Sequence, residues 1–198
     1  VDSAGGAFET AGRHKITPPD PEVPQDTEAA AFFDVDNTLI QGSSLILLAQ
    51  GLFRKRFISL SELAPALWKQ FRYRVSGSEN AGDIAEGREQ ALAVVKGKSV
   101  AELKAACREI VDSRMLQKSY ADTIELASMH LAAGQQVWLV SATPVQIGQA
   151  LAETLGFTGA LGTVAEEDDG KFTGRLVGDI LHGPGKKHAV AALAALQQ

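Results

Sequence analysis

The sequence predicts a parallel α/β core with a long helical segment inserted after its first strand. Three observations carry that expectation. An apolar run, Ala30-Ala31-Phe32-Phe33, delivers two aspartates one residue apart, Asp34 and Asp36. Residues 44 to 133 then keep a helical apolar spacing. From Gln136 onward the pattern switches to strand, helix and strand again, the alternation of a parallel sheet with covering helices.

Taken in order, residues 1–28 form an extended leader. Pro18, Pro19, Pro21 and Pro24, four of the seven prolines, fall here among small and polar residues. The core is expected from 29–42 and 134–198, and a helical cap from 43–133. Strand one covers residues 30 to 35. Within the cap, Ser59-Leu60-Ser61-Glu62 and Ser99-Val100-Ala101-Glu102 are capping boxes. The second opens a helix with Val100, Leu103, Cys107, Ile110 and Val111 on one stripe. A helix from about Tyr120 stops at Gly134. Gln136 to Val140 is a buried-type strand. Thr143 is expected to cap the next helix, with Pro144 at its first position and Gly156 as its stop. Ala160 to Val164 is a third strand, residues 167 to 171 a turn, Phe172 to Val177 a returning strand, and 186 to 196 an alanine-rich helix.

Bulk properties narrow the function. The chain has 198 residues and a net charge of −5, so no nucleic-acid partner is expected. No apolar run reaches membrane-spanning length, so no membrane partner is expected either. Cys107 is the single cysteine, which rules out an intramolecular disulfide and fits a cytoplasmic location. The oligomeric state is left open.

The chemistry-bearing residues sit at element ends. In a strand, positions i and i+2 share a face, so Asp34 and Asp36 start on the same side. Two such acids are costly together unless a cation or a proton lies between them. One can attack, the other can handle protons, and a hard metal can hold both. Ser141 ends the next strand, beside the amides of a helix start, where a phosphate oxygen could be bound. Lys186 follows Gly183-Pro184-Gly185, at a helix start where a basic pair opposes the helix dipole unless an anion is near. Each residue also has a structural reading: turn cap, helix cap and solvated surface charge.

Together these segments resemble one family. The residues are 30 to 38 with Asp34, Asp36 and Thr38, the stretch His130 to Gly134 leading to Val140-Ser141-Ala142-Thr143, the run Asp169 to Gly174, and Gly183-Pro184-Gly185-Lys186. They are similar to the haloacid-dehalogenase (HAD) hydrolases, in the phosphoserine-phosphatase-like (SerB-type, subfamily IB) branch. The likeness extends from about Ala29 to the last residue. It implies a Rossmann-like sheet with an inserted cap, and a magnesium-dependent phosphomonoester hydrolase that uses an aspartyl-phosphate intermediate on a small phosphorylated metabolite. On that resemblance Asp34 is the nucleophile and a metal ligand. Asp36 is the acid/base and gives its backbone carbonyl to Mg2+. Ser141 binds the phosphoryl group, Lys186 pairs with it and with Asp34, and Thr38 holds the loop. Ser43, Ala142 and Arg88 lie on the substrate side.

Two departures are expected to matter. The acidic pair that completes the family's metal site has no counterpart before Gln198, so the C-terminal part of the core is expected to be missing and residues 1–198 alone to be inactive. The glutamate that holds the serine ammonium in phosphoserine phosphatases is replaced by Ser43. An ungapped match also puts Ala91, not Arg88, where the arginine for the substrate carboxylate belongs. The competing readings are a phosphomutase or phosphotransferase of the same superfamily, and a catalytically silent HAD module of a larger protein.

Overall fold

The computed structural model describes residues 28–59, 62, 92–178, 180–181 and 183–196. Arg88 and the leader up to residue 27 lie outside the described residues. Four strands form one open sheet in the order β1-β2-β3-β4: Ala30–Asp34, Gln136–Pro144, Gly159–Asp168 and Lys171–Val177. The first three are parallel, and β4 runs antiparallel to β3. Among the described residues five α-helices accompany them: α1 Ser44–Arg54, α2 Val100–Ile110, α3 Ala121–Ala132, α4 Val145–Leu155 and α5 Pro184–Leu196. This is the mixed α/β, Rossmann-like arrangement, with a sheet that does not close.

Local chemistry explains most boundaries. Ser99 Oγ accepts the Glu102 N–H at 3.3 Å and starts α2. At the other capping box, Glu62 N donates to Ser59 Oγ at 3.3 Å and Ser59 N donates to a Glu62 carboxylate oxygen at 2.6 Å. Gly156 stops α4 at φ 71°, a left-handed conformation that a side chain would strain. Asp169 and Gly170 turn the β3–β4 hairpin at φ 46° and 72°, the pair of positive angles that a tight hairpin needs. That hairpin also makes β3 longer than the five residues expected, because Glu167 and Asp168 pair with Phe172 and Lys171.

The middle of β2 is buried on both sides, as a covered parallel strand should be. Helix α3 packs against β1 and β2, and α4 packs against β2, β3 and α2. One apolar cluster runs from Phe33 and Leu139 in the sheet through Leu48 of α1, Ile110 of α2 and Ile147 of α4. The α2 stripe is buried as expected, and Cys107 in it is fully covered. Burial pushes its thiol up to about 12, so it is unreactive packing.

One local expectation fails. Thr143 does not cap α4. Strand pairing continues to Pro144, opposite Thr163, after a register shift beyond Val140. The helix then begins at Val145 with no side-chain cap. The buried Ser141 hydroxyl claims the Thr143 side chain at 2.7 Å, and this replaces capping.

Candidate active site

The site is built on the loop that leaves β1. Val35, Leu39 and Ile40 are buried and pin the loop from below. Asn37 takes φ 55°, its N–H reaches Ile40 O at 2.8 Å, and its side chain accepts the Gly42 N–H at 3.0 Å. Asparagine tolerates that left-handed turn better than most residues. The loop is stitched to the chain leading into α3. Gln41 N donates to Lys118 O at 2.7 Å, Tyr120 N to Leu39 O at 2.9 Å, and Thr123 Oγ1 to Thr38 O at 2.8 Å.

The two aspartates are held differently. Asp34 Oδ1 accepts the Val35 N–H at 2.8 Å and Lys186 Nζ at 2.7 Å. Its side chain is 46% exposed, and Oδ2 has no hydrogen-bond partner among the described residues. Lys186 lies in the first turn of α5, 152 positions further along the chain. A lysine at a helix start opposes the dipole, and Asp34 supplies the compensating anion. Asp36 is half-buried in the loop. Its Oδ1 accepts both the N–H and the hydroxyl of Ser44, at 2.9 and 2.5 Å.

Ser141 follows Val140, the register partner of Asp34, so it lies one step further along the neighbouring strand. It is 3% exposed, and its Oγ is occupied by Thr143 Oγ1 at 2.7 Å and by the Thr143 N–H at 3.2 Å. Ala142 is half-buried, and its carbonyl accepts Thr163 Oγ1 at 2.7 Å. Thr38 is exposed and contributes its carbonyl, not its hydroxyl, to the loop contacts. Ser43 stands at the N-cap of α1 and makes no side-chain cap bond. A cavity of about 460 Å³ opens beside the Asp34–Lys186 pair, lined by Phe32, Val140, Val190 and Ala194.

The geometry therefore brings Asp34 and Lys186 into contact and keeps Asp36 and Ser141 on adjacent loop and strand positions. Sequence reasoning missed Ser44 and Asn37. The available signals were weak: a second serine at the start of an apolar helix, and an asparagine before a glycine-containing loop.

The chain is similar to known proteins. A Mycobacterium tuberculosis protein named phosphoserine phosphatase SerB1 is 52% identical over 175 residues, covering 88% of this chain and 57% of the relative. The chain thus spans little more than half the length of that relative. A Bordetella pertussis protein of unknown function superposes with a TM-score of 0.69 at 27% identity, over 84% of this chain and 74% of the other. A phosphoserine phosphatase solved as an analogue of its phospho-aspartyl intermediate shares the fold, with a TM-score of 0.53 at 18% identity over 85% of this chain and 71% of the other. The family model for haloacid dehalogenase-like hydrolases matches residues 31–198, and the chain belongs to that family.

Proposed function

We propose that this chain carries the nucleophile and acid/base of a magnesium-dependent phosphomonoester hydrolase that forms an aspartyl-phosphate on Asp34. The observation that supports this most is the 2.7 Å contact between Lys186 Nζ and Asp34 Oδ1. It joins residues 152 positions apart at the carboxyl end of a parallel strand, where open α/β sheets bind ligands.

Asp34 Oδ2, which has no partner among the described residues, is the attacking oxygen. As its bond to phosphorus forms, the bond from phosphorus to the ester oxygen breaks, and Asp36 gives the departing alcohol its proton. Asp36 then takes a proton from water. That water attacks phosphorus, the bond to Asp34 breaks, and inorganic phosphate leaves. Lys186 balances charge on the phosphoryl oxygens throughout. With the Thr143 hydroxyl and N–H both donating to Ser141 Oγ, the Ser141 proton is free to be given to one of those oxygens.

The donor set suits Mg2+. The half-exposed Asp34 carboxylate would hold the ion through the oxygen that does not attack, and the Asp36 backbone carbonyl would be a second hard oxygen. Among the described residues no cluster of three His, Cys, Asp or Glu is present. Mg2+ commonly keeps several waters beside one or two carboxylates and the substrate phosphate, and on the family likeness an acidic pair would complete the set. When bound, the ion neutralises charge developing on the transferring phosphoryl group.

The substrate is a small phosphorylated metabolite. Among the described residues no helix is long and apolar enough to cross a membrane. O-phosphoserine is the specific compound to test, because the 52% identical relative carries that name. Ser43 is neutral, however, and gives an ammonium group no ion pair. The test is the full-length protein with Mg2+ against a panel of phosphate esters, beside Asp34→Asn. Phosphate release that Asp34→Asn abolishes is expected. Turnover that survives the substitution would refute the assignment, and a product phosphorylated at a new position would favour a mutase.

A further inference from the structure

We infer that Ser44 is a positioning residue for Asp36, fixing the orientation in which its carboxyl group meets the leaving alcohol. The inference rests on the phosphatase reading above and extends it to a residue outside the motif.

Three observations carry it. Ser44 is fully buried, so its hydroxyl must find a partner within the protein. Both its N–H and its Oγ–H go to the same atom, Asp36 Oδ1, at 2.9 and 2.5 Å. Asp36 Oδ2 receives no hydrogen bond from a described residue. Capping of α1 explains only part of this. The Ser44 N–H bond satisfies one free donor of the first turn, while Ser43 at the N-cap contributes no side-chain bond. The hydroxyl adds a second donor to an oxygen that already has one.

The chemical consequence is asymmetry within one carboxyl group. With Oδ1 held by two donors, Oδ2 is the oxygen left available to the leaving alcohol and later to water. The two bonds also fix the plane of the carboxyl group against the first turn of α1. Ser44 touches neither substrate nor phosphorus and acts only through Asp36.

A general acid matters in proportion to how badly the leaving group needs a proton. The experiment measures single-turnover alcohol release by the full-length protein, from an alkyl phosphate and from 2,4-dinitrophenyl phosphate. Ser44→Ala should slow alkyl ester cleavage about tenfold, the usual worth of a hydrogen bond to a charged group, and slow the dinitrophenyl ester less than about threefold. Asp36→Asn should show the same selectivity with a larger loss, and the double variant should be no worse than Asp36→Asn. Ser44→Cys, nearly isosteric but a weak donor, should repeat the pattern and serves if the alanine variant does not fold. Equal losses on both esters, or additive losses in the double variant, would overturn the positioning role and leave the phosphatase reading standing. A wild-type protein that cleaves neither ester, or activity that survives Asp34→Asn, would overturn the reading itself.

Discussion

The carboxyl ends of β1 and β2 lie side by side, with Asp34 opposite Val140, and they are finished by opposite means. Strand β1 ends on a charge that stays half in water and takes its partner, Lys186, from the far end of the chain. Strand β2 ends on two hydroxyls, Ser141 and Thr143, that are 3% and 4% exposed and satisfy each other. A charge left near solvent can exchange partners at little cost, because water competes for it anyway. A buried hydroxyl cannot, since losing its partner costs about 1–3 kcal/mol. The first end is suited to exchanging ligands and the second to holding shape.

Substitutions at the two ends should separate these roles. Asp34→Asn is the largest expected effect. It should lower phosphate-ester turnover by about 10³-fold or more while leaving the unfolding midpoint nearly unchanged, because the side chain is half-exposed. Steady-state assay beside a urea titration reads both quantities, and a large stability loss would break the contrast. Lys186→Ala should follow, with a loss of about 10²–10³ in turnover and under about 1 kcal/mol in stability. Thr143→Val tests the closed end. It leaves the Ser141 hydroxyl with the backbone N–H of residue 143 alone and should destabilise by about 0.5–1.5 kcal/mol in urea unfolding, and a neutral result would mean that this N–H suffices.

The smallest effect concerns pH and lies away from both strand ends. The Ser59 backbone N–H, the Ser59 hydroxyl and Lys98 hold Glu62 down at about 2. Its folded value is below its unfolded one, so its contribution is present above about 4.5 and is lost as pH falls toward 2. Glu62→Gln should therefore be less stable than wild type at pH 6 and indistinguishable from it near pH 2. A difference that persists at the lower pH would assign the effect to packing instead of charge.

What the sequence made legible depended on how local each cause was. The Ser99 box, the Gly156 stop and the Asp169-Gly170 turn are local, and the structure forms them where the residues call for them. Thr143 was misread because its competitor is tertiary. The capping pattern says nothing of a buried Ser141 two residues earlier that needs the same hydroxyl. Within the site, Asp34 and Asp36 were visible as a spaced pair of acids. Their partners were not equally visible. Lys186 emerged through family likeness, since no local pattern links positions 152 apart. Ser44 escaped notice because its bond to Asp36 exists only after Asn37 adopts a left-handed turn and folds the loop back.

The seam between the loop after β1 and the chain entering α3 has a consequence of its own. The polypeptide departs at Gln41 and comes back at Lys118, and those two residues are hydrogen-bonded at 2.7 Å. Between them, α1 and α2 are tied back to the core: α2 packs on α4, and Gly97, Lys98 and Val100 exchange backbone hydrogen bonds with Gly170 and Phe172 of the β3–β4 hairpin. For such a loop the entropic cost of closure rises only with the logarithm of its length. Only chain that is not packed on the core, as α1 and α2 are, can vary in length at nearly the same energetic cost. Substrate preference, where it resides in the excursion, can drift while the catalytic loop beneath it stays unchanged.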